Sequence, residues 1–467
     1  MPLKQVVFIA LTAVFIPAAV WFASRFHWAE RLLVAGALFS TCYLIDINFV
    51  SMEHYRGDTR GFEFGVTDWM IIALMIVMLR SPRWQHKRPE LLPPNGTLML
   101  AYVGLAVISI AVSYVPIYAG FGVFKLIRAM AVYWVAYNYL RSEEDFQFFL
   151  MVLAAMVAFQ FLLVIQQRLG GVYRARGSTP HSNTLALYIN MMNMLFMSFL
   201  LGAHDAGWRR YVYLGALGLG TLIVLATFSR GALAMMVMGY GLVTVLSLFD
   251  RAHGYKLKTL GLMALLALPF VIKLAPAIIE RFETAPEEAE LSRHQANDAA
   301  LAMGEDHFFG IGINNFSYAL NETGYSRFVP FEVDRGIVHN IYLLHVAELG
   351  WIGLGVFLLM IGGFFLMALR IILLRRDNLI SWVAIGIFAG MATLWVQSLL
   401  EWAFRQTYLT VEFYLLAGFL AALPRVDQTM RRQQRLQKVQ RVLLLTRLAG
   451  RARRGLERTR PGPAHPL

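Results

Sequence analysis

Apolar positions along this chain come in unbroken runs of about 17 to 25 residues, divided by short clusters of charge, glycine and proline. At about 1.5 Å per residue, a helix of that length crosses a hydrocarbon core of about 30 Å. Breaking the runs at charge and turn clusters predicts spans near residues 5–23, 31–49, 66–80, 97–115, 123–140, 146–166 and 184–202. Further spans are predicted near 210–227, 231–249, 259–276, 341–369, 379–400 and 407–424. The expected fold is all-α: a polytopic integral membrane protein of 12 to 13 transmembrane helices over residues 1–424, followed by a tail, 425–467. Residues 5–23 read as a span rather than a signal peptide, because the run is long for a signal core and lacks a small-residue cleavage site.

Composition agrees with the pattern. Of 467 residues, 58% are hydrophobic and 15% charged, against roughly 25% charged in soluble domains, and the mean hydropathy is +0.55. A water-soluble enzyme is excluded. The single cysteine, Cys42, has no partner for an intramolecular disulfide. The net charge of +13 is unevenly placed: twelve basic residues stand between Arg425 and Arg460, against Asp427 and Glu457. Such a tail directly after the last span follows the positive-inside rule and suits anionic lipid headgroups, so no nucleic-acid partner is expected. Residues 429–450 read as a basic amphipathic helix on the inner leaflet.

Lys and Arg in short loops are retained on the cytoplasmic side. The basic segments 81–90, 208–210, 250–258, 370–377 and the tail are mutually consistent as cytoplasmic, which puts the N-terminus outside. Four connections then fall on the outer side: 50–65, 167–183, the turn 228–231, and 277–338. The last holds eleven acidic and four basic residues, as suits an extracytoplasmic segment. Within it, 286–303 predicts a helix with acids in its first turn, and GIGINNF, 310–316, a turn that folds the loop back.

On this topology four residues from separate stretches converge on the outer face: Arg176, Arg230, Arg293 and His339. The planar guanidinium fork matches phosphate oxygens, at about 1.5 to 3 kcal/mol per charged hydrogen bond, so arginines gathered at a membrane surface suit a lipid diphosphate. Arg230 could equally cap a helix end, and Arg176 or Arg293 could pair with an acid of the long loop. His339 opens the eleventh span, where an imidazole can take a proton from an attacking hydroxyl. Glu348 lies nine residues on, about 13 Å along a helix, too far to orient it. Lys125 and Arg128, spaced i, i+3, share a helix face and could extend a phosphate path, or pair with Asp46 or Asp68. No zinc, Walker or magnesium motif occurs, so neither metal nor cofactor is expected.

The stretches RARGSTPHSN, TFSRGAL, LSRHQ with FFGIGINNF, and HNIYLLHVAELGWIGL stand in the order and spacing of the O-antigen ligase and O-antigen polymerase superfamily, which this chain resembles over roughly residues 160–370. The resemblance implies a membrane glycosyltransferase of the bacterial inner membrane. It would pass a glycan from undecaprenyl diphosphate to an acceptor hydroxyl on the periplasmic face without a metal. Arg230 and Arg293 match the family's diphosphate-binding arginines, His339 its catalytic histidine, and Arg176 a further position. The family's usual plan has about twelve spans with both ends inside, one fewer than read here. The acceptor, lipid A core in a ligase or another lipid-linked glycan in a polymerase, is not read from these residues. A transporter or flippase is the alternative from another class, although its paired inverted halves are not found. Glycan-assembly proteins are candidate partners of the tail.

Overall fold

The computed structural model describes residues 3–85, 88–202, 207–250, 254–283, 287–329, 336–374 and 378–458. Parts of the basic connections (86–87, 251–253, 375–377), residues 330–335 of the acidic loop and the end of the tail lie outside them. In chain order the helices are α1 (Leu3–Arg25), α2 (His27–Phe39), α3 (Val66–Arg80), α4 (Gly96–Ile108), α5 (Pro116–Tyr139), α6 (Glu143–Leu169), α7 (Ser182–Gly202) and α8 (Trp208–Ala226). There follow α9 (Arg230–Asp250), α10 (Gly254–Glu283), α11 (Glu287–Asp306), α12 (Phe316–Glu322), α13 (Ile341–Leu373), α14 (Leu379–Gln397) and α15 (Thr407–Arg458). Twelve of the thirteen apolar segments fall largely on a helix, and the thirteenth, 31–49, does so only in its first half. Among the described residues nine helices are long and apolar enough to cross a membrane: α1, α5 to α9, α13, α14 and α15. The chain is a multi-pass, all-α membrane protein.

The expected span 31–49 needs correction. Helix α2 stops at Phe39 because the next two hydroxyls turn back on it: Ser40 Oγ donates to the Ala37 carbonyl and Thr41 Oγ1 to that of Leu38, at 2.9 and 2.7 Å. Such local bonds compete with continuing a helix. The chain then forms strand β1 (Asp46–Phe49), paired antiparallel with β2 (Phe62–Gly65) in the register Asp46 to Gly65 and Phe49 to Phe62. This hairpin carries the 50–60 loop. Helices α2, α3 and α4 are 13, 15 and 13 residues long, shorter than ordinary spans.

Capping fixes several helix starts. Ser142 accepts from the Asp145 amide at 3.3 Å while Asp145 accepts from the Ser142 amide at 3.0 Å, a reciprocal box that opens α6. Asn340 accepts from the amides of Tyr342 and Leu343 and opens α13. Helix α7 is the centre of the bundle, buried at every residue from Thr184 to Gly202, and packs on α8, α9 and α14. Lipid is as apolar as leucine, so close backbone approach rather than water exclusion holds such helices together. Gly386 and Gly390 provide it: a Cβ on Gly386 would stand 2.8 Å from the Leu195 Cα.

The long connection is ordered by its own structure. The predicted helix appears as α11, and the glycine turn docks on α13: the amides of Ile311 and Gly312 donate to the carbonyls of Ala347 and Glu348, both at 2.9 Å. Helix α13 breaks there at Gly350, with φ +69°. A Cβ on Gly350 would meet the Phe308 carbonyl at 2.0 Å, and one on Gly310 the Glu348 carbonyl at 2.4 Å, so the junction requires glycine on both sides. At the C-terminus, the last span and the basic segment form one helix of 52 residues, about 78 Å long at about 1.5 Å per residue.

Candidate active site

The connections 50–65, 167–183 and 277–338, with that between α14 and α15, enclose a cavity of about 950 Å³. Five arginines line it: Arg56 and Arg60 from the hairpin loop, Arg174 and Arg176 from the loop before α7, and Arg293 from α11. His339 and Glu401 complete its chemistry. Among the described lining residues Glu401 is the one carboxylate beside five arginines, a balance that suits an anion.

Each arginine stands on a braced backbone. Gln167 Oε1 accepts from the amides of Arg176 and Gly177 at 2.8 and 3.0 Å, and its amide nitrogen donates to the Gly177 carbonyl at 2.7 Å. Arg176 itself is exposed, with Nη1 3.4 Å from the Pro180 carbonyl. The hairpin loop is pinned from beneath by Asn314. Its side-chain oxygen accepts from the Asp58 amide at 3.1 Å, and its nitrogen donates to the carbonyls of Thr59 and Tyr118 at 2.8 and 3.0 Å.

His339 Nδ1 lies 3.4 Å from Glu401 Oε2. That nitrogen is buried and its geometry falls short of a hydrogen bond, while the side chain as a whole is 43% exposed. The edge carrying Nε2 is therefore the one open to the cavity. Glu401 is held in turn. Its Oε1 accepts from Asn183 Nδ2 at 2.5 Å, Asn183 Oδ1 accepts from Arg174 Nη2 at 2.8 Å, and Arg174 Nε donates to the Thr227 carbonyl at 3.2 Å. One chain of contacts thus joins the start of α13, the α14 to α15 connection, the start of α7 and the turn before α9.

Of the residues singled out in the sequence, Arg176, Arg293 and His339 meet in this cavity. Arg230 does not line it; it begins α9, half-buried, three residues after the Thr227 carbonyl that Arg174 holds. Lys125 and Arg128 do not line the cavity either, and Arg128 takes the other course left open for it, pairing with Asp68. Arg128 makes a two-pronged contact with Asp68, at 2.8 and 2.7 Å, and lies 3.8 Å from Glu63. Lys125 lies 4.0 Å from Asp58 and donates to Thr59 Oγ1 at 3.3 Å and to the Arg405 carbonyl. Glu348, set aside as an orienting group for His339, binds Arg405, which also lies 3.3 Å from Asp58. Burial works against the Arg405 charge, but Glu348 and Asp58 outweigh it and raise the guanidinium above its ordinary range.

Five titratable lining residues escaped the sequence reading: Arg56, Arg60, Arg174, His181 and Glu401. Arg56 and Arg60 sit in a connection already assigned to the outer side, where positive charge is disfavoured, and Arg174 is two residues from Arg176. Those were readable signals. Glu401 carried none, because its partner stands 62 residues away. Among the described residues no group of three or more His, Cys, Asp or Glu side chains could hold a metal ion.

The fold is thus a helical bundle of membrane spans with an arginine-lined, histidine-bearing cavity of a chemistry that suits an anionic ligand. Residues 215–358 match the family model described as O-antigen ligase, which supports the resemblance to the O-antigen ligase superfamily over that segment. Arg230, Arg293 and His339 fall inside the matched segment; Arg176 and Glu401 fall outside it. No curated protein matches the chain.

Proposed function

We propose that the protein transfers a glycan from undecaprenyl diphosphate to an acceptor hydroxyl at the periplasmic face of the inner membrane, without a metal and in the manner of an O-antigen ligase, its C-terminal tail lying against anionic lipid on the cytoplasmic side. The observation that carries this reading is the meeting of Arg176, Arg293 and their neighbouring arginines with the His339 and Glu401 pair in one cavity. The acceptor oxygen forms a bond to the anomeric carbon as the bond from that carbon to the diphosphate breaks. The bonding pair leaves with the diphosphate, and the hydroxyl proton passes to His339 Nε2. Negative charge grows on the departing oxygen, where arginines bind the transition state more tightly than the ground state. Glu401, beside Nδ1, orients the ring and offsets the imidazolium charge.

The test is transfer in vitro with purified protein, an undecaprenyl-diphosphate-linked glycan and EDTA. Lipid A core is offered in one tube and only further lipid-linked glycan in the other. Transfer to the core identifies a ligase and elongation in the second tube a polymerase; His339→Ala is expected to lower either by about 10² to 10⁴. No transfer in either tube overturns the reading. Arg230 enters it through the family match alone. Arg230→Lys, which replaces the fork by a point charge, is expected to lose most activity at unchanged thermal stability, and near-normal transfer removes Arg230 from the site.

A further inference from the structure

Beside the arginine cavity lies a second cleft of about 770 Å³ that shares Arg56 with it. Its other walls come from the hairpin loop, the start of α5, and α12. The Tyr55 ring is buried and stacks on Tyr118, with centroids 3.9 Å apart and planes at 20°, while its hydroxyl donates to the Asn314 carbonyl. Tyr118 meets Tyr318 edge-on at 6.2 Å. A fixed corner of aromatic rings results. Around it stand the exposed carboxylates of Glu53 and Glu322 and the half-buried amide of Asn321.

This pairing of surfaces matches one ligand chemistry. An aromatic face packs against the C–H face of a pyranose ring, and carboxylates and amides bond the hydroxyls at its rim. The charge balance separates the two sites. Among the described lining residues the cleft sets two carboxylates against a single arginine, whereas the cavity sets five arginines against a single carboxylate. A diphosphate is attracted by the second and repelled by the first. Arg56 stands at the boundary.

We propose that the cleft holds an uncharged saccharide, the sugar that presents the acceptor hydroxyl, laid on Tyr118 and Tyr318 with its hydroxyls bonded to Glu53, Asn321 and Glu322. This rests on the assignment of the arginine cavity to the lipid diphosphate. It deepens that assignment by giving donor and acceptor separate sites of opposite charge.

Isothermal titration of the full-length protein in detergent tests it with two probes: core oligosaccharide stripped of lipid and phosphate, and the O-unit oligosaccharide released from its diphosphate. One of them is expected to bind wild-type protein, and to bind Tyr318→Ala and Glu322→Gln at least tenfold more weakly, while the affinity for undecaprenyl diphosphate is unchanged in both variants. The core probe marks a ligase-type acceptor and the O-unit probe a polymerase-type one. If neither probe binds, or if the variants bind as tightly as wild type, the cleft is not a saccharide site. Undecaprenyl diphosphate titrated against Arg293→Ala reads the other assignment separately. Saccharide binding that survives while the diphosphate fails to bind even wild-type protein leaves the cleft standing and removes the donor site.

Discussion

Arg405 and Arg293 stand near the same cavity in opposite electrostatic settings. Arg405 has a side chain 2% exposed, bound to Glu348 and 3.3 Å from Asp58. Arg293 is half-exposed on a wall shared with four further arginines and a single carboxylate. A buried cation with matched acids serves the fold, since each partner removes the cost of burying the other. Among the described residues that line the cavity, cations outnumber carboxylates, a surplus that an anionic ligand would balance. The contrast separates buried, acid-matched arginines from those proposed to bind ligand by their surroundings, which spacing along the chain does not encode.

The largest effect is expected where the matched set is broken. Glu348→Ala leaves Arg405 buried with Asp58 alone, and removing one partner of a buried pair costs about 3 to 5 kcal/mol. Thermal unfolding in detergent should show a large drop in Tm; a drop of under about 2 °C would place Arg405 with the cavity arginines and dissolve the contrast. Arg293→Ala should do the reverse, leaving Tm unchanged or raised. It should lower kcat/KM for transfer by about 10 to 150-fold, the equivalent of about 1.5 to 3 kcal/mol for a charged hydrogen bond. A parallel fall in Tm would show that Arg293 is structural.

A smaller effect sharpens the role of the cavity's one acid. Glu401→Gln keeps an oxygen for Asn183 but loses the negative charge beside His339 Nδ1. Transfer kcat is expected to fall about tenfold with the donor KM unchanged, because the charge matters when the imidazolium forms. A rise in donor KM with kcat intact would instead make Glu401 a part of the binding wall.

The same distinction explains what the sequence could and could not disclose. Twelve of the thirteen apolar runs became helices along most of their length because in lipid a spanning segment must satisfy its own backbone, a local demand written in local composition. The end of α2 escaped because two hydroxyls, Ser40 and Thr41, interrupt an otherwise apolar stretch. The glycine turn was legible, and the need for glycine at Gly310 and Gly350 became clear only where the two backbones meet. Lys125 and Arg128 share a helix face as their spacing predicts. Whether acids await them depends on Asp58 and Asp68, about 60 residues away in sequence, and no local pattern reports that. Arg56 and Arg60 were legible because they stand in a connection assigned to the outer side, where positive charge is disfavoured; Glu401 was not, since a lone acid in a short connection has many uses.

The smallest effect comes from the acid-rich counterpart of the cavity, the hairpin where Asp46, Glu63 and Asp68 face Arg128 and Lys125. Burial raises Asp46 above the ordinary carboxyl range, Arg128 opposing it, and burial likewise raises Glu63 against Lys125 and Arg128. A raised carboxyl binds its proton more tightly folded than unfolded. Its contribution is therefore complete below the unfolded pKa of about 4 and is lost as pH rises through the higher folded value. As pH falls from 7 to 5, wild-type unfolding free energy should gain relative to Glu63→Gln, by less than about 1.4 kcal/mol per pH unit for this one group. Parallel pH profiles for the two proteins would mean that Arg128 and Lys125 neutralise Glu63 fully, making the hairpin a balanced set like that around Arg405 rather than the inverse of the arginine cavity.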